Sequence, residues 1–215
     1  MLADDILLLM TSDETGRSLV GSSTYTDLVV AGAVMVELSL AGNLRVTEPG
    51  ETVRKKRVVL VPDAPWPKDP MLTQALAVAN TKPKWRPHTL CHKLASKASQ
   101  NVYERLIQAE ILRMEEDRVL GMLPLKRWKP MNPQPRQHLL NALREPVMFG
   151  TEPQVREAAL LALLSASMVI VRVLDPERRL DRRQMKKLAN DLRKQYWGAQ
   201  AAYYAISEYQ GAAMA

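Results

Sequence analysis

The stretch over residues 22–42 constrains the fold more than any other, because it is apolar on nearly every side. Between Leu28 and Leu44 the only ionisable side chain is that of Glu37. A helix with so little polar surface is typical of the middle of a protein core. Thr24 and Asp27 have the spacing of a capping box, which predicts a helix that begins near residue 24.

This stretch is not predicted to cross a membrane. Glu37, Ser39 and two glycines interrupt it, whereas a membrane span needs about 20 mostly apolar residues. Buried charges in proteins are usually paired. We therefore expect Glu37 to form an ion pair with an arginine of a neighbouring helix.

Length and composition favour one domain over residues 1–215, because 47% hydrophobic content supports one substantial core. Cys91 is the only cysteine, which excludes an internal disulfide and fits a reducing compartment. Acidic residues near Met1 do not resemble a signal peptide. We therefore expect a cytoplasmic protein. The net charge of +7 comes from basic residues concentrated in the middle of the chain, which suits an anionic partner.

The remaining patterns predict a mainly α, single globular helical domain around two apolar central helices, with two small β-hairpins. The second apolar helix is predicted over residues 155–174, opened by a capping box at residues 151–154, beside the first in the core. Hairpins are predicted over residues 44–61 and 118–131. The second strand of the first hairpin is predicted to carry the basic run 54–57. Further helices are expected over residues 2–10 (turning into an edge strand), 70–80, 88–97, 99–116, 133–145, 196–213 and after the cap-like pair Asp175 and Pro176.

Signatures of catalysis are absent from the sequence. It contains no nucleophile elbow, phosphate-binding loop or dinucleotide fingerprint. His88, Cys91 and His92 would share one helical face, but no fourth ligand follows nearby, and a structural zinc normally has four. We therefore expect no enzyme activity, no cofactor and no metal site, and we interpret this trio as a helix surface or packing group.

Two segments combine tryptophan with positive charge, a pattern typical of contact with anionic membranes. The membrane-contact candidates are Lys82, Lys84, Trp85 and Arg86 in the first segment and Lys126, Arg127, Trp128 and Lys129 in the second. Both tryptophans could instead pack against the domain. The second segment follows an apolar hairpin tip, which could enter a bilayer or bind a second copy of the chain. The tip residues are Leu120, Met122, Leu123 and Leu125.

Several of these segments, in order along the chain, resemble the Golgi phosphoprotein 3 family, in a form similar to its bacterial branch. The central stretch 31–44, AGAVMVELSLAGNL, is similar to the family's G-x-x-L-x-E-L-x-L-x-G-x-L pattern. Other similar pieces are residues 7–9 with 13–16, 101–106, 118–124 through Arg127 and Trp128, and 152–164. The resemblance implies a largely helical peripheral membrane protein. It also implies an adaptor for the cytosolic tails of membrane proteins, and self-association through the hairpin at 118–131.

Eukaryotic members of this family bind phosphatidylinositol 4-phosphate through one tryptophan and three arginines. The resemblance places the corresponding lipid-binding positions at Ser22, with Tyr25 the nearest aromatic residue, and at Ala31, Gln100 and Tyr103. None of these is a tryptophan or an arginine. Because arginine forks supply most of the affinity for a phosphate, what the resemblance carries over is the fold, the hairpin and a general basic surface.

We therefore expect a peripheral membrane-associated protein that binds anionic, phosphoinositide-like headgroups and acts as an adaptor. The alternative is a winged-helix-like nucleic-acid-binding regulator, because a helix followed by a basic hairpin spans residues 23–61 and the middle of the chain is basic. The helix that would enter a DNA groove carries no basic residue. Nucleic acid is therefore the less favoured partner.

Overall fold

Helices form most of the chain in the computed structural model, which describes residues 1–51, 55–81, 85–119, 123–177 and 179–213. Within these residues the helices are α1 (Leu2–Met10), α2 (Ser23–Leu40), α3 (Pro70–Asn80), α4 (Pro87–Leu94), α5 (Ala98–Gln108), α6 (Gln134–Phe149), α7 (Val155–Ala166), α8 (Ile170–Leu174), α9 (Arg182–Gln195) and α10 (Trp197–Ala213). The strands are β1 (Leu44–Val46), β2 (Val58–Leu60), β3 (Leu112–Val119) and β4 (Leu123–Pro130). They form two antiparallel pairs, β1 with β2 and β3 with β4. The prediction of a mainly α domain with two small hairpins is confirmed.

Helix α2 lies in the centre of the core, as its composition predicts. Residues 28–36 are all buried, and the buried apolar side chains of the described chain form one cluster around them. Among the described helices, α2 is long and apolar enough to cross a membrane by length and composition. However, 61% of it is buried inside the protein, as in the core helix of a soluble protein.

The cap predicted for α2 is wrong. The helix begins after Ser22, and the Ser22 side chain does not cap its first turn. The carboxylate of Asp27 instead accepts hydrogen bonds from the backbone N–H (2.8 Å) and hydroxyl (2.5 Å) of Ser99. Asp27 therefore joins α2 to the start of α5, a long-range role that local spacing could not reveal.

Glu37 pairs with no arginine among the described residues, which corrects a second prediction. Its half-buried carboxylate accepts a hydrogen bond from the backbone N–H of Leu2 at the start of α1. A carboxylate at a helix N-terminus satisfies a free N–H and interacts favourably with the helix dipole. Helix α1 remains helical to Met10, without the edge strand that was predicted.

The prediction of a helix over residues 99–116 is wrong beyond Gln108. Glu110 has a positive φ of 56° and ends the helical run, and strand β3 begins at Leu112. Met114 is consequently 47% exposed on a strand instead of facing the core. The hairpin predicted over 118–131 is therefore longer than expected, with Leu112 paired to Pro130 and Val119 to Leu123.

The second apolar helix is shorter than predicted. Helix α7 ends at Ala166, because Met168 has a positive φ of 60°, and the short α8 follows. The capping box of α7 is formed by Gln154 and Glu157, one turn later than the predicted box. Asp175 does not open a helix; its carboxylate binds the backbone N–H groups of Arg179 and Leu180.

The winged-helix alternative is contradicted by the position of α2. In that reading α2 would have to enter a DNA groove, but it is surrounded by the other helices and lies in the core. Of the predicted basic run, the described residues Lys55, Lys56 and Arg57 lie in the β1–β2 connection and not on a strand, because β2 begins only at Val58.

Candidate functional site

A cavity of about 550 Å³ lies between the β1–β2 connection, the start of α4 and the first half of α10. This volume is in the range of pockets that hold small ligands. We call it the basic pocket, because none of its described lining residues is acidic while six can carry positive charge: Lys55, Lys56, Arg57, Arg86, His88 and Lys194.

Backbone hydrogen bonds bring two distant basic segments to one side of this pocket. The N–H of Val58 donates to the carbonyl oxygen of Trp85 (2.9 Å), which places Arg57 beside Arg86. Thr47 of the preceding connection binds the backbone of Lys56 and Arg57, at 2.8 to 2.9 Å. Lys56 adopts a positive φ of 59° there. The basic side chains are thus carried by an anchored backbone.

One face of α10 forms the opposite wall of the pocket. Trp197, Gln200, Ala201 and Tyr204 line it with the i, i+3, i+4, i+7 spacing of a single helical face. The indole Nε1–H of Trp197 donates to the hydroxyl of Ser39 near the end of α2 (2.9 Å). The carboxamide oxygen of Gln200 is buried and has no donor among the described groups, so the wall offers an unused acceptor.

Four of the cations at the pocket have no anionic partner within the described residues: Lys55, Lys56, Arg57 and Arg86. The other two each have a carboxylate nearby: Lys194 contacts Asp191 (3.3 Å), and His88 lies 3.7 Å from Glu208. Helix α4 adds its positive end, because its N-cap is Arg86, whose side chain does not cap the first turn. Unpaired cations and a helix N-terminus together make a site that favours a phosphate or another anion.

Of the two described candidates in the first predicted basic–tryptophan segment, Arg86 lines the basic pocket and Trp85 does not. Trp85 is half-buried and packs against the core. Lys82 and Lys84 lie outside the described residues.

The second basic–tryptophan segment lies on the β3–β4 hairpin. Trp128 stacks on Tyr103, with ring centroids 3.9 Å apart and planes 7° from parallel. The backbone N–H of Trp128 donates to the carbonyl oxygen of Gly16 (2.7 Å), and the ammonium of Lys129 donates to the carbonyl oxygen of Glu14. Lys126 is exposed and Arg127 half-buried. Trp128 therefore docks the hairpin on the domain, with one ring face covered.

The predicted hairpin tip falls partly outside the described residues, which leave out Leu120 and Met122. The strands on either side reach Val119 and Leu123, so Leu123 and Leu125 belong to β4.

The five lipid-binding positions implied by the resemblance do not share one accessible surface. Ala31 is fully buried and Tyr103 is 4% exposed. The Tyr103 hydroxyl contacts that of Thr11 (3.0 Å), and burial raises the pKa of Tyr103 to about 12. Gln100 is exposed and donates to Glu104 (2.9 Å). Ser22 and Tyr25 are half-buried, and the Tyr25 ring lies 6.4 Å from that of Tyr209.

The trio at His88, Cys91 and His92 does not converge on one point. Cys91 is buried and its thiol donates to the carbonyl oxygen of Leu28 (3.3 Å), and burial raises the pKa of this thiol to about 12. Both histidines face Glu208 of α10, at 3.7 and 3.0 Å. Among the described residues, no group of three histidines, cysteines or carboxylates is arranged to hold a metal.

Sequence reasoning missed the α10 wall of the basic pocket, with Trp197, Gln200 and Tyr204, and it also missed Lys194 at the end of α9. The repeat of Trp197, Ala201 and Tyr204 along one helical face was the only local signal, and it reads equally well as a core-facing stripe. What makes these residues part of a site is their position opposite Arg57 and Arg86, which lie more than a hundred residues earlier.

Comparison with known proteins identifies a family. The family model described as Golgi phosphoprotein 3 (GPP34) matches residues 2–209, nearly the whole chain. No curated protein matches the chain significantly.

Proposed function

Because the chain belongs to the Golgi phosphoprotein 3 family, we propose that it is a peripheral membrane-associated protein that binds anionic lipid headgroups in the basic pocket. Membership of this family fits a lipid-binding or adaptor role in general. The observation that carries the proposal is the set of four cations around one cavity without an anionic partner in the described chain.

The chemistry of the pocket suits a phosphate on a lipid headgroup. The guanidinium groups of Arg57 and Arg86 can each donate two parallel hydrogen bonds to phosphate oxygens. Lys55 and Lys56 add mobile charge, worth about 1 kcal/mol each near an anionic membrane surface. The acceptor of Gln200 suits a hydroxyl donor on the same headgroup, such as those of a phosphoinositide or a glycerol.

The proposed phosphate position differs from the one that the resemblance implies. The family's tryptophan and arginines correspond to positions around the start of α2 and on α5. Here Ala31 and Tyr103 at two of those positions are buried. Trp197 of the basic pocket instead contacts Ser39, at the other end of α2. In this chain the anion would therefore bind at the opposite end of the central helix.

Two further parts of the proposal rest on the family. An adaptor for the cytosolic tails of membrane proteins would use the membrane as its platform, with the protein on the cytoplasmic face. The Golgi phosphoprotein 3 family is not a known family of enzymes, and we propose a binding function without catalysis.

Vesicle co-sedimentation tests the proposed function. The protein is mixed with phosphatidylcholine vesicles, and with vesicles in which about a third of the lipid is anionic. We expect pelleting only with the anionic vesicles and a decline as salt rises, because salt screens charges over about 10 Å at 0.1 M. Negligible pelleting with both vesicle types would overturn the proposal. A parallel series with a phosphoinositide in place of phosphatidylserine tests the finer specificity.

A further inference from the structure

Trp66 is 52% exposed, although tryptophan is among the side chains that gain most from burial. It lies in the connection between β2 and α3, between Pro65 and Pro67. Prolines restrict the backbone on both sides of it. The exposed indole is therefore carried on a stiff segment.

Side chains from two neighbouring elements fix this segment at both ends. The Nδ2 amide of Asn43 donates to the carbonyl oxygen of Pro65 (2.8 Å). The hydroxyl of Thr73 in α3 donates to the carbonyl oxygen of Pro67 (2.7 Å). Trp66 thus points away from the core because anchored backbone holds it there.

The same end of α2 carries the basic pocket. Leu40, the last residue of α2, is 48% exposed, and Asn43, which binds Pro65, follows three residues later. Ser39 binds Trp197 of the pocket (2.9 Å), and β1, which begins at Leu44, contributes Val46 to the pocket wall. Exposed apolar side chains, and cations that have no anionic partner among the described residues, therefore both occur at the Leu40 end of α2.

The charges beside Trp66 are compatible with an anionic surface. Lys68 is exposed two residues later and has no partner among the described side chains. Of the two carboxylates in this connection, Asp69 is bound by Arg105 (2.7 Å) and by the first turn of α3. Asp63 is the exposed one.

We propose that Trp66 and Leu40 form an apolar rim that enters the interfacial layer of the bilayer whose anionic headgroups occupy the basic pocket. The inference rests on the proposed function and adds an orientation to it: the end of α2 at Leu40 faces the membrane. Tryptophan prefers the headgroup level of a bilayer, and neighbouring lysines bind the phosphates around it. A rim beside a cationic pocket matches both the apolar and the charged part of such a surface.

Fluorescence quenching by lipid tests this orientation. Vesicles with about a third anionic lipid are prepared with phosphatidylcholine brominated near the top of the acyl chain, which quenches tryptophans that reach that depth. We expect quenching of the wild-type protein and its loss in Trp66→Ser. We also expect vesicle affinity to fall about tenfold, because roughly half of a large indole surface would be withdrawn from water on insertion.

Phe149→Ser is the matched control, since Phe149 is 71% exposed on α6, which does not line the basic pocket. This variant should bind and be quenched like the wild type. Thermal unfolding of both variants within a few degrees of the wild type shows that they fold.

The outcomes separate the two proposals. Anionic vesicle binding that is unquenched and unchanged by Trp66→Ser would overturn the orientation and leave the proposed function standing. Equal loss of binding in Phe149→Ser would also overturn it, because the effect would then not be specific to this end. If the wild type fails to bind anionic vesicles, both proposals are overturned.

Discussion

Gly32 of α2 and Gly198 of α10 lie against each other so closely that neither position has room for a side chain. A Cβ on Gly198 would lie 2.9 Å from the backbone nitrogen of Val36 and 3.0 Å from the carbonyl oxygen of Gly32. A Cβ on Gly32 would lie 2.8 Å from that of Ala202. This contact fixes α10, and with it one wall of the basic pocket, against the central helix.

Gly198→Ala should therefore destabilise the protein. The added methyl would collide with backbone atoms, which cannot turn aside as a flexible side chain can. We expect a loss of about 1–3 kcal/mol in the free energy of unfolding, measured by urea denaturation. Gly211→Ala on the same helix is the control, because a Cβ there meets nothing within 4 Å. It should be neutral or slightly stabilising, and an equal loss in both variants would contradict the close contact.

Introducing the family's arginines at positions 103 and 100, one at a time, should lower the stability of the protein at position 103 and leave it nearly unchanged at position 100. Tyr103 is buried under Trp128, so Tyr103→Arg would bury an unpaired charge and should cost at least about 2 kcal/mol of stability. Gln100 is exposed, and Gln100→Arg should change stability by no more than about 0.5 kcal/mol. Thermal unfolding compares the two, and a stable Tyr103→Arg protein would contradict the observed packing.

Cys91 should be unreactive in the folded protein. Its thiol is fully buried, and burial raises its pKa from 9.0 to about 12. A thiol reagent at pH 8 should modify it only as fast as the protein opens, and denaturant should accelerate the reaction strongly. Rapid modification without denaturant would contradict the burial.

The same pKa shift predicts a pH dependence of stability. Because the folded pKa lies above the unfolded value of 9.0, folding favours the protonated thiol. The contribution of the protonated thiol to the free energy of unfolding is fully present below pH 9 and is lost as the pH rises towards 12. Cys91→Ala should therefore show a shallower loss of stability between pH 9 and 11 than the wild type does, by urea denaturation.

The hairpin at residues 118–131 is expected to contribute to self-association, as the resemblance implies. Light scattering of the protein alone should then show an oligomer. Replacement of Leu123 and Leu125 by glutamate should yield a monomer, because charges at an apolar contact must be desolvated. A monomeric wild-type protein would contradict this prediction. An oligomer that the substitutions leave intact would show that self-association uses another surface.

Local sequence signals predict those parts of the fold whose cause is local. Asp69 followed by Pro70 predicts the start of α3, and the Asp69 carboxylate does bind the N–H groups of Met71 and Leu72. The absence of charge over residues 28–36 likewise predicts burial. By contrast, Glu110 and Met168 end their helical runs with positive φ values, although nothing in their side chains favours that conformation.

The basic pocket could be predicted only in part, because it is assembled by long-range contacts. Composition marks Arg57 and Arg86 as members of basic segments, but their proximity depends on the hydrogen bond between Val58 and Trp85. The opposite wall comes from α10, whose approach depends on the Gly32 and Gly198 contact. Each of these pairs is distant in sequence, so no window of neighbouring residues contains the information.

The central claim is that the cations of the basic pocket hold an anionic headgroup. The most direct test compares Arg57→Ala/Arg86→Ala with Arg183→Ala/Lys186→Ala in binding to anionic vesicles. Both variants lose two positive charges, but Arg183 and Lys186 are exposed on α9 and do not line the pocket. We expect at least about a tenfold loss of affinity in the pocket variant and a much smaller change in the control. Equal affinities of the two variants would contradict the account.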